Sequence, residues 1–293
     1  MEQAPAPPKP FKPWQVGIVF LAAVGLELTL GATIALVGGV AASARGEDFT
    51  VWIASPAAIV IQIIAGSAML AALAVIATKI RRLPPGGALG LVAPRRTALA
   101  LAVLGVLPMG ILSDELTFLV GRLGGGLFDT SVLDQFARMF SSASAPWFVA
   151  LTVAIAVGPA LGEELLFRGL ILGSLAARLP AGLAVILSAI LFGAIHFDAL
   201  QGSGALLIGL YLGFVTLATG SLWPAIAAHA SNNLLCALFA RLDPAGAGSA
   251  FDTGHPWWLV AASVAATAGV VVALVGMGSV SDRRPGSGEA SRL

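Results

Sequence analysis

The feature that most constrains this chain is a series of long apolar runs spread over its 293 residues. A run of about 20 apolar residues crosses the hydrocarbon layer of a membrane as a helix, because lipid offers the backbone no hydrogen-bond partners. The chain contains eight such runs, but the fifth and sixth are short and rich in glycine, so seven spans are the alternative. The runs predict membrane-spanning helices at Val16–Ala42, Val51–Thr78, Thr97–Val120, Trp147–Gly173, Gly182–Phe197, Ser203–Thr219, Trp223–Ala240 and Trp257–Met277.

The composition agrees with a membrane protein and excludes several soluble classes. Apolar residues make up 58% of the chain and charged residues only 11%, against about 25% charged residues in a typical soluble domain. The net charge of +1 provides no basic field, so no nucleic-acid partner is expected. The single cysteine, Cys236, excludes an intramolecular disulfide. The predicted fold class is therefore all-α, a polytopic membrane helix bundle of about eight transmembrane helices.

The distribution of Lys and Arg predicts the orientation of this bundle. Eleven of these residues flank the spans on the side of the two termini, and four lie on the other side. Because cytoplasmic loops carry the excess of Lys and Arg, we expect both termini in the cytoplasm. The Ala- and Gly-rich composition favours a bacterial plasma membrane. A signal-peptidase-like Ala42-Ser43-Ala44 offers a cleaved signal as an alternative, but the first apolar run is much longer than the about 7–15 residues of a secretory core, which favours an uncleaved span.

Composition also divides the chain into segments. The five prolines of Ala4–Pro13 predict an extended lead-in rather than a helix, and the Gly/Ser/Arg-rich C-terminus predicts disorder. The predicted organisation is a Pro-rich cytoplasmic tail at 1–15, transmembrane helices at 16–146, a core at 147–240, a loop and last helix at 241–280, and a disordered cytoplasmic tail at 281–293.

An acidic pair late in the fourth run is the first candidate site. Glu164 and Arg168 are four residues apart, so on a helix they face each other in the favourable acid-first order. Glu163 is rotated by about 100° from Glu164 and has no partner at helical spacing. A carboxylate without a partner in an apolar setting suits a general base. The alternative is a salt bridge at the cytoplasmic membrane edge with a snorkelling arginine.

Two further motifs place polar groups on other spans. His196 ends the sequence Phe192-Gly193-Ala194-Ile195-His196, and His229 lies one helical turn before Asn233 on the same face. Ionisable residues within spans are costly and usually face the bundle interior, so we expect an intramembrane polar cavity. The set can activate a water and hold an oxyanion, or bind Zn²⁺ through Glu163, His196 and His229.

The three motifs together resemble the CPBP family, which comprises CaaX prenyl proteases and Abi-type bacteriocin-processing membrane proteases. The resemblance rests on Glu-Glu-x-x-x-Arg, Phe-x-x-x-His and His-x-x-x-Asn in that order on successive apolar helices, and it covers about Trp147–Ala240. It implies an eight-helix intramembrane endopeptidase, or hydrolase, in which Glu163 and His196 activate water. It further implies that His229 and Asn233 stabilise the oxyanion, while Glu164 and Arg168 order the site.

The resemblance leaves the cofactor and the substrate open. The family is usually called a metalloprotease, which implies Zn²⁺ held by Glu163, His196 and His229, but a metal-free mechanism is also argued for it. The implied partners are the lipid bilayer and a membrane-tethered or lipidated protein or peptide, either a prenylated CaaX-type protein or a peptide precursor. The alternatives are a non-catalytic immunity or scaffold protein of the same fold, and a proton-coupled transporter that uses the same buried groups as a relay.

Other polar residues admit a functional and a structural interpretation. Glu27 in the first span either lines the cavity or makes an interhelical hydrogen bond. Asp114 and Glu115 interrupt the third span, either as an interfacial helix end or as groups that hydrate the cavity. For His255, beside a proline and a tryptophan, a surface role is expected.

Overall fold

The computed structural model describes residues 10–125, 127–128, 130–242 and 254–278, and every regular element in these ranges is a helix. One segment, Leu165–Leu172, is a π-helix that continues α8 without a break. In chain order the α-helices are α1 (Pro13–Ala44), α2 (Phe49–Ile53), α3 (Pro56–Ile80), α4 (Pro85–Ala88), α5 (Arg96–Leu104), α6 (Val106–Leu123), α7 (Ser131–Ser142), α8 (Ala145–Glu164), α9 (Gly173–Ala176), α10 (Ala181–Ala194), α11 (Ala199–Thr219), α12 (Trp223–Leu242) and α13 (Trp257–Gly278).

Helices occupy all eight positions that the apolar runs predict. Two of them, α10 and α12, are shorter or more polar, since α10 has only 14 residues and α12 carries the His229–Asn233 motif. The predicted all-α polytopic membrane bundle is thus confirmed. In the described ranges, six stretches are long and apolar enough to cross a membrane by length and composition: Pro13–Ala44, Pro56–Ile80, Arg96–Leu123, Ala145–Ala176, Ala199–Thr219 and Trp257–Met277.

The second span begins later than the apolar run predicts. The run starts at Val51, but the spanning helix α3 starts at Pro56 and is preceded by the separate short helix α2. Ser55 caps α3 by accepting a hydrogen bond from the Ala58 amide at 3.3 Å, and Pro56 occupies the first helical position, where its missing N–H costs nothing. Hydropathy alone does not detect this boundary, because both sides of the cap are apolar.

The first helix also begins earlier than predicted. α1 starts at Pro13 rather than Val16, and the residues just before it are tied to the bundle. Arg178, in the loop after α9, donates to the carbonyl oxygens of Pro10 at 2.9 Å and Phe11 at 3.0 Å. Most of the predicted N-terminal tail and the whole of the predicted C-terminal tail at 281–293 lie outside the described residues.

The third span is interrupted at Gly105, between α5 and α6. The hydroxyl of Tyr211 from α11 donates to the Ala102 carbonyl oxygen at 2.7 Å. Its ring lies where a side chain at position 105 would be, so only glycine fits there. A side chain inserted into the backbone ladder is a common cause of a helix break. This contact joins α5, α6 and α11 into one packing unit.

Helix α8 lies between α3 and α12 and approaches α3 closely. The approach depends on Gly158 and Gly162, because a side chain at either position would collide with Ser67 of α3. Small residues spaced by four let transmembrane helices come into backbone contact. Glu163 and Glu164 follow Gly162 directly, so this close contact holds the acidic pair deep within the bundle.

The end of α12 is fixed to the segment that leads into α8. Arg241 donates to the carbonyl oxygens of Phe140 (3.2 Å), Ser141 (2.7 Å) and Ala143 (2.9 Å) at the C-terminal end of α7. Those carbonyls have no partner within α7, and the helix dipole places negative partial charge there. The arginine therefore anchors α12 beside the start of α8, which sets the two helices antiparallel.

Candidate active site

Glu164 and Arg168 form a fully buried ion pair at the junction of α8 and the π-helix. Arg168 Nη1 donates to Glu164 Oε1 at 2.6 Å, and both side chains are 0% exposed. The contact has the geometry that the four-residue spacing predicts, whereas the predicted alternative of a snorkelling arginine at the membrane edge does not fit this burial. Glu164 Oε2, Arg168 Nε and Arg168 Nη2 have no hydrogen-bond partner among the described residues, so the pair is not saturated by protein groups.

His229 joins the same carboxylate from α12. Its Nδ1 lies 2.8 Å from Glu164 Oε1, and the ring is only 4% exposed. Because the carboxylate is an acceptor, we assign the Nδ1 proton to the histidine, which leaves Nε2 directed away from Glu164. Glu164 thus binds Arg168 and His229 through one oxygen. Sequence reasoning missed this contact, since it depends on the register between two helices 65 residues apart.

Glu163 is the less constrained member of the acidic pair. Its side chain is 19% exposed, and Oε2 lies 3.9 Å from His229 Nε2, beyond hydrogen-bond distance. Within the described residues Glu163 makes no hydrogen bond through its side chain. The two adjacent glutamates therefore differ sharply: Glu164 is buried and doubly bound, and Glu163 is partly accessible beside a histidine nitrogen.

Phe192 of α10 is the common surface against which these side chains pack. The Arg168 guanidinium lies 4.1 Å from the ring centroid, and this cation–π contact compensates part of the charge's desolvation. His196 and His229 both approach the ring edge-on, with centroid distances of 5.2 and 5.9 Å. The sequence analysis identified Phe192 only as the first residue of the Phe-x-x-x-His motif. In the structure its ring contacts both His196 and His229.

His196 lies in the turn after α10 and is held by its own helix. Its Nδ1 is 2.8 Å from the Phe192 carbonyl oxygen, so Nδ1 donates and Nε2 is left as an acceptor. The next residue, Phe197, has a φ of +53°, a left-handed conformation that is unfavourable for a side-chain-bearing residue. Asp198 then caps α11 by accepting from the Gln201 amide at 2.7 Å. Such strain clusters at functional sites.

Asn233 lies one turn beyond His229 and contacts α8 instead of another polar side chain of the site. Its Nδ2 donates to the Ile155 carbonyl oxygen at 3.0 Å. The side chain is half-buried. One of the two amide hydrogens that the predicted oxyanion role would use is therefore committed to the backbone.

Glu27 places a carboxylate of α1 against α3. It lies against Gly66, where an added methyl group would approach its oxygen to 3.0 Å. Within the described residues Glu27 makes no hydrogen bond, so the predicted interhelical hydrogen bond is not found. The other interpretation, a wall of the cavity or a substrate contact, stays a prediction.

Asp114, Glu115 and His255 form a separate polar cluster between α6 and the start of α13. The Glu115 carboxylate accepts from the His255 backbone amide at 2.7 Å. His255 Nε2 lies 3.8 Å from Asp114 Oδ2, and the two side chains are 19% and 47% exposed. His255 is therefore half-buried against α6. The sequence analysis had predicted a surface role for it.

Histidine and carboxylate side chains of this site are of the types that bind Zn²⁺. In the described parts of the chain, no group of three or more His, Cys, Asp or Glu side chains is placed to hold a metal ion. His229 Nε2 and Glu163 Oε2 face one another, but as placed they form no complete ligand set with His196. The Zn²⁺ site at Glu163, His196 and His229 stays a prediction, and no step below depends on a metal.

Comparison with known proteins bears on the segment that contains this site. Residues 145–235 match the model of a family described as Rce1-like, type II CAAX prenyl endopeptidase. The chain matches no curated protein and no solved structure. The matched segment runs from the start of α8 to the middle of α12, and it includes Glu163, Glu164, Arg168, His196, His229 and Asn233.

The match confirms the resemblance that the three motifs predicted. It covers 91 of the 293 residues, and it leaves out α1 to α7, with Glu27, and the Asp114–His255 cluster. At the level of the family, the match supports a membrane-embedded endopeptidase of the CAAX type. Over residues 145–235 this integral membrane protein is thus similar to the Rce1-like type II CAAX prenyl endopeptidases.

Proposed function

We propose that this protein is an intramembrane endopeptidase that hydrolyses a peptide bond in a membrane-associated or prenylated, CaaX-type protein or peptide precursor. The observation that carries the proposal is the unequal environment of the two adjacent glutamates. Glu164 is fully buried and bound to Arg168 and His229, whereas Glu163 is partly accessible and lies 3.9 Å from His229 Nε2. A carboxylate with a free oxygen beside an oriented imidazole is the arrangement that water activation requires.

In the proposed reaction Glu163 is the general base. A water within hydrogen-bond distance of Glu163 loses a proton to the carboxylate, and the resulting hydroxide forms a bond to the carbonyl carbon of the substrate. The C–N bond of the tetrahedral intermediate then breaks, and the proton passes from Glu163 to the leaving amine. His196, whose Nε2 is left as an acceptor, assists in orienting the water.

His229 stabilises the negative charge that develops on the substrate oxygen. Glu164 accepts a hydrogen bond from Nδ1–H and thereby fixes the ring, as a buried carboxylate orients the imidazole in other hydrolases. When the ring is protonated, Nε2–H points towards the region beside Glu163 and can donate to an oxyanion there. Arg168 balances the charge of Glu164 and stacks on Phe192, so the support of the site is built from buried groups.

The test is proteolysis by purified protein in detergent or lipid nanodiscs. Wild type and Glu163→Gln are offered a panel of prenylated CaaX-type peptides and membrane-tethered peptide precursors, and the products are identified by mass spectrometry. The amide is nearly the same size as the carboxylate, so the variant keeps the fold but lacks the base. Each reaction is repeated with a chelator and with added Zn²⁺.

Cleavage by wild type, with at least about a hundredfold loss in Glu163→Gln, is the expected result. Loss of activity with the chelator and its return with Zn²⁺ would support the predicted metal, and insensitivity would support the metal-free route. Equal cleavage by both proteins would contradict the role of Glu163. Absence of cleavage of every peptide by a correctly folded wild type would favour the scaffold and transporter alternatives.

A further inference from the structure

Asn233 makes a hydrogen bond that has a specific backbone cause. Its Nδ2 donates to the carbonyl oxygen of Ile155, 78 residues earlier in the chain, at 3.0 Å. In an α-helix that carbonyl would bond to the amide four residues later. That residue is Pro159, which has no N–H and lies inside α8.

The missing hydrogen bond matters more here than in a soluble helix. α8 belongs to a stretch that is long and apolar enough to cross the membrane, where lipid provides no replacement donor. Proline within such a helix is tolerated where a neighbouring helix satisfies the freed carbonyl. Asn233 on α12 does this for Ile155.

The proline lies one turn before the acidic pair. Pro159 precedes Glu163 by four residues, and the π-helix Leu165–Leu172 begins directly after Glu164. Both glutamates therefore lie between two departures from regular α-helical geometry. The backbone alone fixes their direction poorly, because the regular hydrogen-bond ladder is interrupted before them and widened after them.

α12 provides two contacts that fix this part of α8. His229 binds Glu164 Oε1, and Asn233, one turn later, binds the Ile155 carbonyl oxygen. Asn233 follows His229 in α12, whereas Ile155 precedes Glu164 in α8, so the order of the two contacts is that of antiparallel helices. The two contacts lie on either side of Pro159, so together they define the angle between the helix segments before and after the proline.

We propose that Asn233 is a positioning residue that fixes the backbone geometry of α8 at Pro159 and thereby directs Glu163 towards His229 Nε2. The inference rests on the proposed function for its effect on catalysis, although the hydrogen bond can be tested without a substrate. It differs from the oxyanion role that the resemblance implies, because here Asn233 acts through the backbone of α8 rather than on the substrate.

The experiment is a double-mutant cycle on the full chain with Asn233→Ala, Pro159→Ala and the double variant. Alanine at 159 restores an N–H that can bond to the Ile155 carbonyl oxygen, so the amide of Asn233 is no longer needed. Asn232→Ala is the matched control, since this neighbouring amide donates to Asn233 Oδ1 at 3.4 Å and to Cys236 Sγ at 3.9 Å but makes no hydrogen bond to α8 among the described residues. The readouts are kcat, KM and the midpoint of unfolding in detergent.

In the wild-type background Asn233→Ala should lower kcat by about 10- to 100-fold, as expected when a reacting group is misplaced by about 1 Å, with KM changed much less. In the Pro159→Ala background the same substitution should change kcat by less than about threefold, and the unfolding midpoints should be non-additive. Asn232→Ala should change kcat by less than about threefold.

Two results would overturn the inference. An equal loss of kcat on Asn233→Ala in both backgrounds would mean that Asn233 acts directly on the substrate. Additive unfolding midpoints would mean that Asn233 does not replace the hydrogen bond lost at Pro159. If the unfolding midpoints of the cycle are non-additive but the wild type cleaves no peptide, the proposed function is rejected and the positioning contact is supported.

Discussion

The molecule contains two acid–histidine clusters, and they differ in how closely a carboxylate approaches the histidine and in what balances its charge. In the first, Glu164 and His229 are buried, Glu164 Oε1 lies 2.8 Å from His229 Nδ1, and Arg168 balances the charge of Glu164. In the second, Asp114 is 47% exposed, His255 Nε2 is 3.8 Å away, and the histidine contributes a backbone amide to Glu115. The first lies within the family match and the second outside it.

Residue type alone therefore does not identify a site in a membrane protein. Asp114 lies 3.8 Å from His255 Nε2, beyond hydrogen-bond distance, so their pairing is weak. Glu164 is fully buried and must be compensated by protein groups. Only the first cluster also holds a partly free carboxylate, Glu163, next to an oriented histidine nitrogen.

The largest expected effect is on catalysis. Glu163→Gln should lower the cleavage rate by about 10²–10⁴-fold, the usual contribution of general base catalysis, with little change in stability. Asp114→Asn, the matched substitution in the second cluster, should keep wild-type cleavage. The measurement is initial rate of product formation by mass spectrometry. Similar losses in both variants would remove the distinction between the clusters.

The next effect is on stability. Glu164→Ala should lower the free energy of unfolding by about 3–5 kcal/mol, because Arg168 is left buried without its counter-ion. Glu163→Gln should change it by less than about 1 kcal/mol. The measurement is denaturant unfolding in mixed micelles, followed by tryptophan fluorescence.

Two controls sharpen this result. The double substitution Glu164→Leu with Arg168→Met removes both charges and should recover much of the lost stability. Asp114→Ala should cost less than about 1 kcal/mol, as for other exposed ion pairs. Equal destabilisation by Glu164→Ala and Glu163→Gln would mean that the roles of the two glutamates are wrongly assigned.

The sequence predicts those parts of the structure that depend on local spacing. Helices occupy all eight positions that the apolar runs predict, and the four-residue spacing of Glu164 and Arg168 predicted their contact. The break at Gly105 was not predicted, because it is caused by a tyrosine hydroxyl from a helix about a hundred residues later. The start of α3 was misplaced because its cap lies within an apolar run.

The candidate site was predicted in composition but not in connectivity. The residues on three helices were identified, yet the contact between Glu164 and His229 depends on how α12 is aligned with α8, which no local pattern encodes. The sequence analysis did not identify Pro159 as a residue that leaves the Ile155 carbonyl oxygen without an amide donor, nor Asn233 as the residue that replaces it. The cytoplasmic orientation of the termini and the domain boundaries stay predictions.

The smallest expected effect concerns the aromatic support of the site. Phe192→Leu should cost about 0.5–2 kcal/mol of stability through loss of the cation–π contact with Arg168, and it should lower kcat by loosening both histidines. Phe118→Leu is the control, because Arg122 lies 5.9 Å from that ring outside the family match. The same unfolding and cleavage assays measure both. A lower kcat in Phe118→Leu than in Phe192→Leu would contradict the assigned role of Phe192.

We expect the cluster of Glu163, Glu164 and His229 to perform the reaction and the cluster of Asp114, Glu115 and His255 to take no part in it. The most direct test is peptide cleavage by His229→Gln and His255→Gln, assayed side by side after each is shown to be folded. We expect His229→Gln to lose nearly all activity and His255→Gln to cleave at the wild-type rate. Full activity in His229→Gln, or loss of activity in His255→Gln alone, would contradict the account.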